Sequence, residues 1–199
     1  MESKPLPPPF GKILGFGTNV LKLDHIVFWV GNAKQAASYY TSRFGFDYLA
    51  YKGLETGDRA LVSHAVRNHE GTTFVFCSVY HHNSSEEMNQ HLVEHGDGVR
   101  DIALTVEDTR AVYGYAVKNG GVSVRAPYEL SDEHGVVVLA SIKTYGDTIH
   151  TFVERKNYKG TFLPGYRPHH LTEKFNKIMT PIRFEKVDHV VGNQPDLQM

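Results

Sequence analysis

Cysteine is nearly absent. Cys77 is the only one in 199 residues, so no disulfide can form within the chain and a reducing compartment is its natural setting. It lies in the apolar run 72–79, where a buried thiol accounts for it. An excess of one charge is also missing: Lys and Arg total 21 against 22 Asp and Glu, with no run of like sign. That excludes the basic groove of a nucleic-acid binder and the polybasic patch of a membrane-surface protein, and leaves a small molecule as the expected partner. No apolar run approaches the roughly 20 residues needed to cross a bilayer. The longest, around 136–140, is strand-sized. Residues 1–15 lack the basic and apolar segments of a secretory signal and carry Glu2 and a Pro-rich stretch at 5–9 instead. These absences predict a cytoplasmic chain with no membrane or nucleic-acid partner. A hydrophobic content of 41% is enough to close one domain.

What is present is periodicity. Leu23 to Val30 alternates, with Asp24, Ile26, Phe28 and Val30 on one side and Leu23, His25, Val27 and Trp29 on the other, the pattern of a half-buried strand. Asn32 can cap a helix that carries Ala33, Ala36, Ala37, Tyr40 and Phe44 at helical spacing and stops at Gly45. Three β-rich segments follow near 47–51, 60–67 and 72–80, separated by Gly53, Gly57 and Gly71. The pattern restarts 76 positions on, from Leu23 to Val99, with a strand over 99–106 and a helix opened by Asp108 or Thr109 and ended by Gly120 and Gly121. Strands near 122–126, 136–144 and 148–154 complete it, and a polar helix opened by Ser84 or Ser85 joins the two units. The reading is α+β, two tandem βαβββ units. Its boundaries are a Pro-rich tail at 1–21, a domain at 22–155, a linker rich in Gly, Pro and His at 156–186, and at 187–199 the first strand of an unfinished second domain.

Several segments resemble the 4-hydroxyphenylpyruvate dioxygenase family almost word for word: FWVGNAKQAASYY (28–40), GLETGDR (53–59), HLVEHGDGVRDIA (91–103), TYGDTIHTFVE (144–154), FLPGY (162–166) and VDHVVGNQPDLQM (187–199). The resemblance implies the vicinal-oxygen-chelate fold, also called glyoxalase/bleomycin-resistance-like. It also implies an Fe(II) enzyme of tyrosine and phenylalanine catabolism that takes an aromatic 2-oxo acid and O₂, gives homogentisate and CO₂, and assembles as a homo-oligomer. In that family two His and one Glu hold iron on one face, leaving adjacent positions for the 2-oxo acid and O₂. His189 matches the first ligand, and the other two have no counterpart in these residues. The chain is therefore expected to be the N-terminal part of such an enzyme, to contain no catalytic residue of its own, to bind no iron alone and to be inactive by itself. Alternatives are 4-hydroxymandelate synthase, a non-catalytic assembly module, and a glyoxalase-like metal enzyme.

The last alternative rests on His25, Asp101 and Glu154, which occupy ligand-equivalent strand positions of the first domain. The preferred reading is an emptied pseudo-site whose polar groups pair with each other or with water. His91 to His95 spells H-x-x-E-H, the inverted zinc-protease motif, which puts both histidines on one helical face. The following Gly96 and strand replace the downstream helix such a protease needs, so the segment is read without zinc. His81, His82, His169 and His170 fall in expected loops and are read as solvated or weakly metal-binding surface groups. Asn83, Ser84 and Ser85 spell a glycosylation acceptor that a chain without a secretory signal does not expose to that machinery.

Overall fold

The first strand, β1 (Val20–Trp29), passes through Asn32 into α1 (Ala33–Arg43). The Asn32 side chain accepts from the Gln35 N–H at 3.0 Å, satisfying one of the amide groups that a helix start leaves unpaired. Ser85 and Asp108 cap α2 (Glu86–His95) and α3 (Thr109–Lys118) in the same way, at 3.2 and 2.9 Å. Those caps decide between the paired alternatives that the sequence leaves open. The other strands are β2 (Asp47–Lys52), β3 (Leu61–Arg67), β4 (Thr73–Val79), β5 (Gly98–Val106), β6 (Ser123–Asp132), β7 (Gly135–Lys143), β8 (Ile149–Glu154) and the short β9 (Arg167–Pro168). The computed structural model describes residues 20–171, 182 and 184–193. Most of the expected Pro-rich tail and much of the expected linker lie outside these residues.

The nine strands of the described residues form one sheet in the order β6-β7-β8-β5-β1-β4-β3-β2-β9. Read outward from its centre, β1-β4-β3-β2 and β5-β8-β7-β6 repeat the same order. Each half has a parallel pair, β1 with β4 and β5 with β8, and the halves join through the antiparallel pair β1 and β5. The 76-residue repeat thus becomes two half-sheets related about the central pair. One face of each half is covered by its helix. Ala33 and Ala37 of α1, both fully buried, pack onto Val66 and Phe76, while Val112 of α3 packs with Ala140 and Phe152. Burying each such large apolar side chain contributes roughly 1.5–3 kcal/mol. Among the described residues no helix is long and apolar enough to cross a membrane.

Two expectations change here. Residues 156–171 do not run over the surface as a linker. Tyr158 and Phe162 are buried, Leu163 and Tyr166 pack against the inner core, and Arg167 and Pro168 add a strand to the β2 edge. The Gly- and Pro-rich spacing that reads as a loop carries an irregular backbone whose aromatics are nonetheless core. Residues 184–193 form no strand and pair with no strand of the sheet. A strand exists only through its partner's hydrogen bonds, and this stretch has none of that kind. It docks instead at its start, where Phe184 stacks on Phe44 and the Phe184 carbonyl accepts from the Asn68 amide at 2.7 Å.

Candidate functional site

The sequence places a pseudo-site in the first domain, with His25 on the first half-sheet and Asp101 and Glu154 on the second, and the structure fills the inner face at His25. His25 is buried, its ring set edge-on against Phe162 at 5.0 Å, with Ala50, Ala65, Val75, Cys77 and Met88 packed around the same Phe162. His25 Nδ1 lies 2.7 Å from Asp24 Oδ1. Simple alternation puts Asp24 on the opposite side of the strand. A β-bulge between the Leu23–Leu104 and His25–Ala103 pairs breaks the alternation at this residue, which is what a bulge does to the side chain it displaces.

Asp24 is consequently a buried hub. Arg155 reaches it with two bonds, Nε to Oδ2 at 2.9 Å and Nη2 to Oδ1 at 2.6 Å, and the Thr105 hydroxyl donates to Oδ2 at 2.8 Å. Burial alone would raise the Asp24 carboxyl; hydrogen bonds and charge from His25 and Arg155 together outweigh it and hold it well below the usual carboxylate range. Arg155 also donates to the Phe162 carbonyl, so one guanidinium fastens the plug to the sheet.

Asp101 and Glu154 do not complete a ligand set with His25. Asp101 is held by Thr151, whose N–H and hydroxyl donate to its two oxygens at 3.0 and 2.5 Å. Its carboxyl is raised by burial in spite of these bonds. Glu154 faces the helix side, where it accepts from the Thr109 N–H at 3.0 Å and pairs with Lys156 at 2.8 Å, a carboxylate at a helix start. The polar groups of the pseudo-site are thus satisfied by neighbours, and its members lie on different faces. His189 is well exposed, with Nδ1 2.7 Å from Asp188 Oδ2.

The other histidines divide. His81 and His82 are exposed, as expected, but His169 is not a solvated loop residue. It stacks on Tyr48 at 4.3 Å, its Nε2 lies 2.8 Å from Nδ1 of buried His64, and its Nδ1 accepts from the Leu171 N–H at 3.0 Å. That last bond assigns the tautomer: Nδ1 is bare, so Nε2 carries the proton and donates to His64. Burial above all pushes both imidazoles down to about 4. Their folded values lie below the ordinary imidazole value of 6.5, so the stabilisation is complete above pH 6.5 and is lost as pH falls towards 4. We expect the urea midpoint to drop over that window, and His64→Leu to flatten the drop. A midpoint unchanged between pH 7 and 4.5 would contradict the assignment.

A further group gathers at the far end of α2. His91 is buried, with its ring edge on Trp29 at 5.0 Å, and His95 follows one turn later at a ring separation of 4.7 Å. Asp147, in the turn between β7 and β8, places Oδ2 at 2.8 Å from His95 Nε2. His91 and Asp147 border a cavity of about 490 Å³ that Arg100 and Lys143 also line. The sequence supplies the two histidines through their spacing. The third member, 52 positions from His95, has no local signal.

Comparison with known proteins matches this architecture. The family model described as "Glyoxalase/Bleomycin resistance protein/Dioxygenase superfamily" covers residues 22–148. Curated relatives named 4-hydroxyphenylpyruvate dioxygenase include one from Tetrahymena thermophila, 50% identical over 96% of this chain and 46% of its own length. Another, from Dictyostelium discoideum, is 45% identical over 88% of this chain and 48% of its own length. The chain spans about half the length of the curated relatives it matches. Among solved structures, a mutant of 4-hydroxymandelate synthase from Streptomyces coelicolor superposes with a TM-score of 0.64 at 21% identity, covering 81% of this chain and 44% of that one. Methylmalonyl-CoA epimerase from Mycobacterium tuberculosis does so at 0.55 and 17%, covering 68% and 88%. At those identities the structures share the fold. The paired half-sheets, the repeat that generates them and the match over 22–148 place this chain in the glyoxalase/bleomycin resistance protein/dioxygenase superfamily.

Proposed function

We propose that this chain is the N-terminal part of a 4-hydroxyphenylpyruvate dioxygenase, the enzyme that converts 4-hydroxyphenylpyruvate and O₂ to homogentisate and CO₂. The observation that carries the reading is 50% identity over 96% of the chain to a relative so named. In this reading the plugged first half-sheet is a structural platform, and the iron belongs to a second cup that begins at His189.

The residues fit that role in part. Asp188 occupies His189 Nδ1, which leaves Nε2 as the ligating nitrogen and orients the ring, the usual arrangement of a metal-bound imidazole. The same Asp-His pair occurs at Asp24 and His25, but there the ring is sealed beneath Phe162. Bound iron(II) would supply a centre on which the 2-oxo acid and O₂ meet. Within this chain, His189 would provide one bond to it, and no second or third ligand accompanies His189 among the described residues. One imidazole holds divalent iron too weakly to compete with water and buffer.

The 199-residue chain supplied with iron(II) and ascorbate is therefore expected to form no homogentisate and to show no oxygen uptake that depends on 4-hydroxyphenylpyruvate. The same residues extended to the length of their relatives should do both. Turnover by the short chain, or hydroxymandelate from the extended one, would overturn the reading. We also propose a homo-oligomeric enzyme, with the cytoplasm as its location; sedimentation of the extended chain as a monomer at tens of micromolar would contradict the first.

A further inference from the structure

We propose that His91, His95 and Asp147 form a zinc site that ties α2 to the turn between β7 and β8, independently of the iron chemistry above. One ligand atom from each lies within 4.8 Å of the other two. In a tetrahedral site with bonds of about 2.0–2.1 Å the ligand atoms stand roughly 3.3 Å apart, so modest side-chain rotations close the set. Two imidazoles with one carboxylate suit zinc and its first-row neighbours, whereas calcium and magnesium take oxygen ligands.

The carriers of these ligands are held in place before any ion arrives. Ser85 caps α2, so His91 and His95 project from successive turns of a fixed helix. The Asp147 turn is anchored by Arg100, which donates to the Asp147 carbonyl, bonds Glu87 at 2.6 Å and stacks over Trp29 at 4.6 Å. His91 is the most telling member. Its ring is buried and Nε2 has no hydrogen-bond partner, a cost that folded proteins seldom leave uncompensated. The cavity of about 490 Å³ lined by His91 and Asp147 leaves room for water at a fourth position. Glu94, the general base of the protease motif, instead accepts from Gln90 at 2.7 Å and stands 3.7 Å from His95, so the site is a staple and not a hydrolytic centre.

The test is Zn²⁺ binding by the full 199-residue chain, stripped with chelator and titrated against a chromophoric competitor, with thermal melts alongside. We expect one equivalent bound at micromolar affinity or tighter and a higher melting temperature with zinc. His95→Ala and Asp147→Ala, at half-exposed positions that leave the fold intact by circular dichroism, should each weaken binding at least about tenfold. His81→Ala with His82→Ala should not change it. Absence of binding overturns the proposal. So does a loss confined to the His81 and His82 variant, which means surface capture, or one that follows His25→Gln and spares His95→Ala, which puts the metal in the first half-sheet.

Discussion

Replacing Asp24 with alanine is expected to cost about 3–5 kcal/mol of unfolding free energy, the usual result of removing one partner from a buried ion pair. Asp24 is 5% exposed and serves His25, Thr105 and Arg155 together, so its loss strands a guanidinium that is itself only 26% exposed. The double change Asp24→Ala with Arg155→Met should recover part of the loss, because the stranded charge goes with it. The pH dependence of the parent carries the same signature. The folded carboxyl lies below its ordinary 3.8, so its contribution is complete above that value and is lost as pH falls further. This window sits below the one assigned to His64 and His169, and the two can be read separately in one acid titration. Urea melts of the parent and the single and double variants decide the matter. A single-variant loss under about 1 kcal/mol would mean that the network is not a structural hub.

Phe162→Ala is expected to cost about 3–4 kcal/mol, in the range for emptying a buried aromatic site. Phe162 is 2% exposed and closes the inner face between His25 and Tyr166, both at 5.0 Å in edge-on contact. Its removal opens space on a face walled by β1, β3 and β4, where strands cannot collapse inward. Phe162→Leu fills most of that volume and should cost about 1 kcal/mol. If the first half-sheet were an open ligand cup in solution, with residues 156–171 lying over the surface, both variants would melt like the parent.

The parts of this fold that are periodic are visible in the sequence. Alternation over 23–30 and 99–106, helical spacing over 33–44 and capping residues at Asn32, Ser85 and Asp108 are local signals, and each element appears within a few residues of its expected place. The repeat goes further, since the offset that relates Leu23 to Val99 also predicts two matching half-sheets. What sequence conceals is non-local. The bulge at Asp24 depends on how β1 meets β5, and without it the Asp24–His25 contact reads as two residues on opposite faces. Phe162 and Tyr166 sit among glycines and prolines, where no period marks them as core. Asp147 becomes a neighbour of His95 only because the turn after β7 comes back beside α2. His189 shows the reverse case. Family likeness singles it out, while its exposed position shows Asp188 as its partner among the described residues.

The central claim, that the first half-sheet is a plugged platform and that the iron belongs to His189, is tested most directly by counting iron. In the chain extended to the length of its relatives, iron per protein should be measured for His189→Ala and His25→Ala, with melts of both. The account predicts that His189→Ala loses iron and homogentisate formation at nearly unchanged stability. It predicts that His25→Ala, which removes a bond to Asp24 and the ring beneath Phe162, melts earlier but keeps its iron. Iron lost from His25→Ala while folded, and retained by His189→Ala, would contradict it.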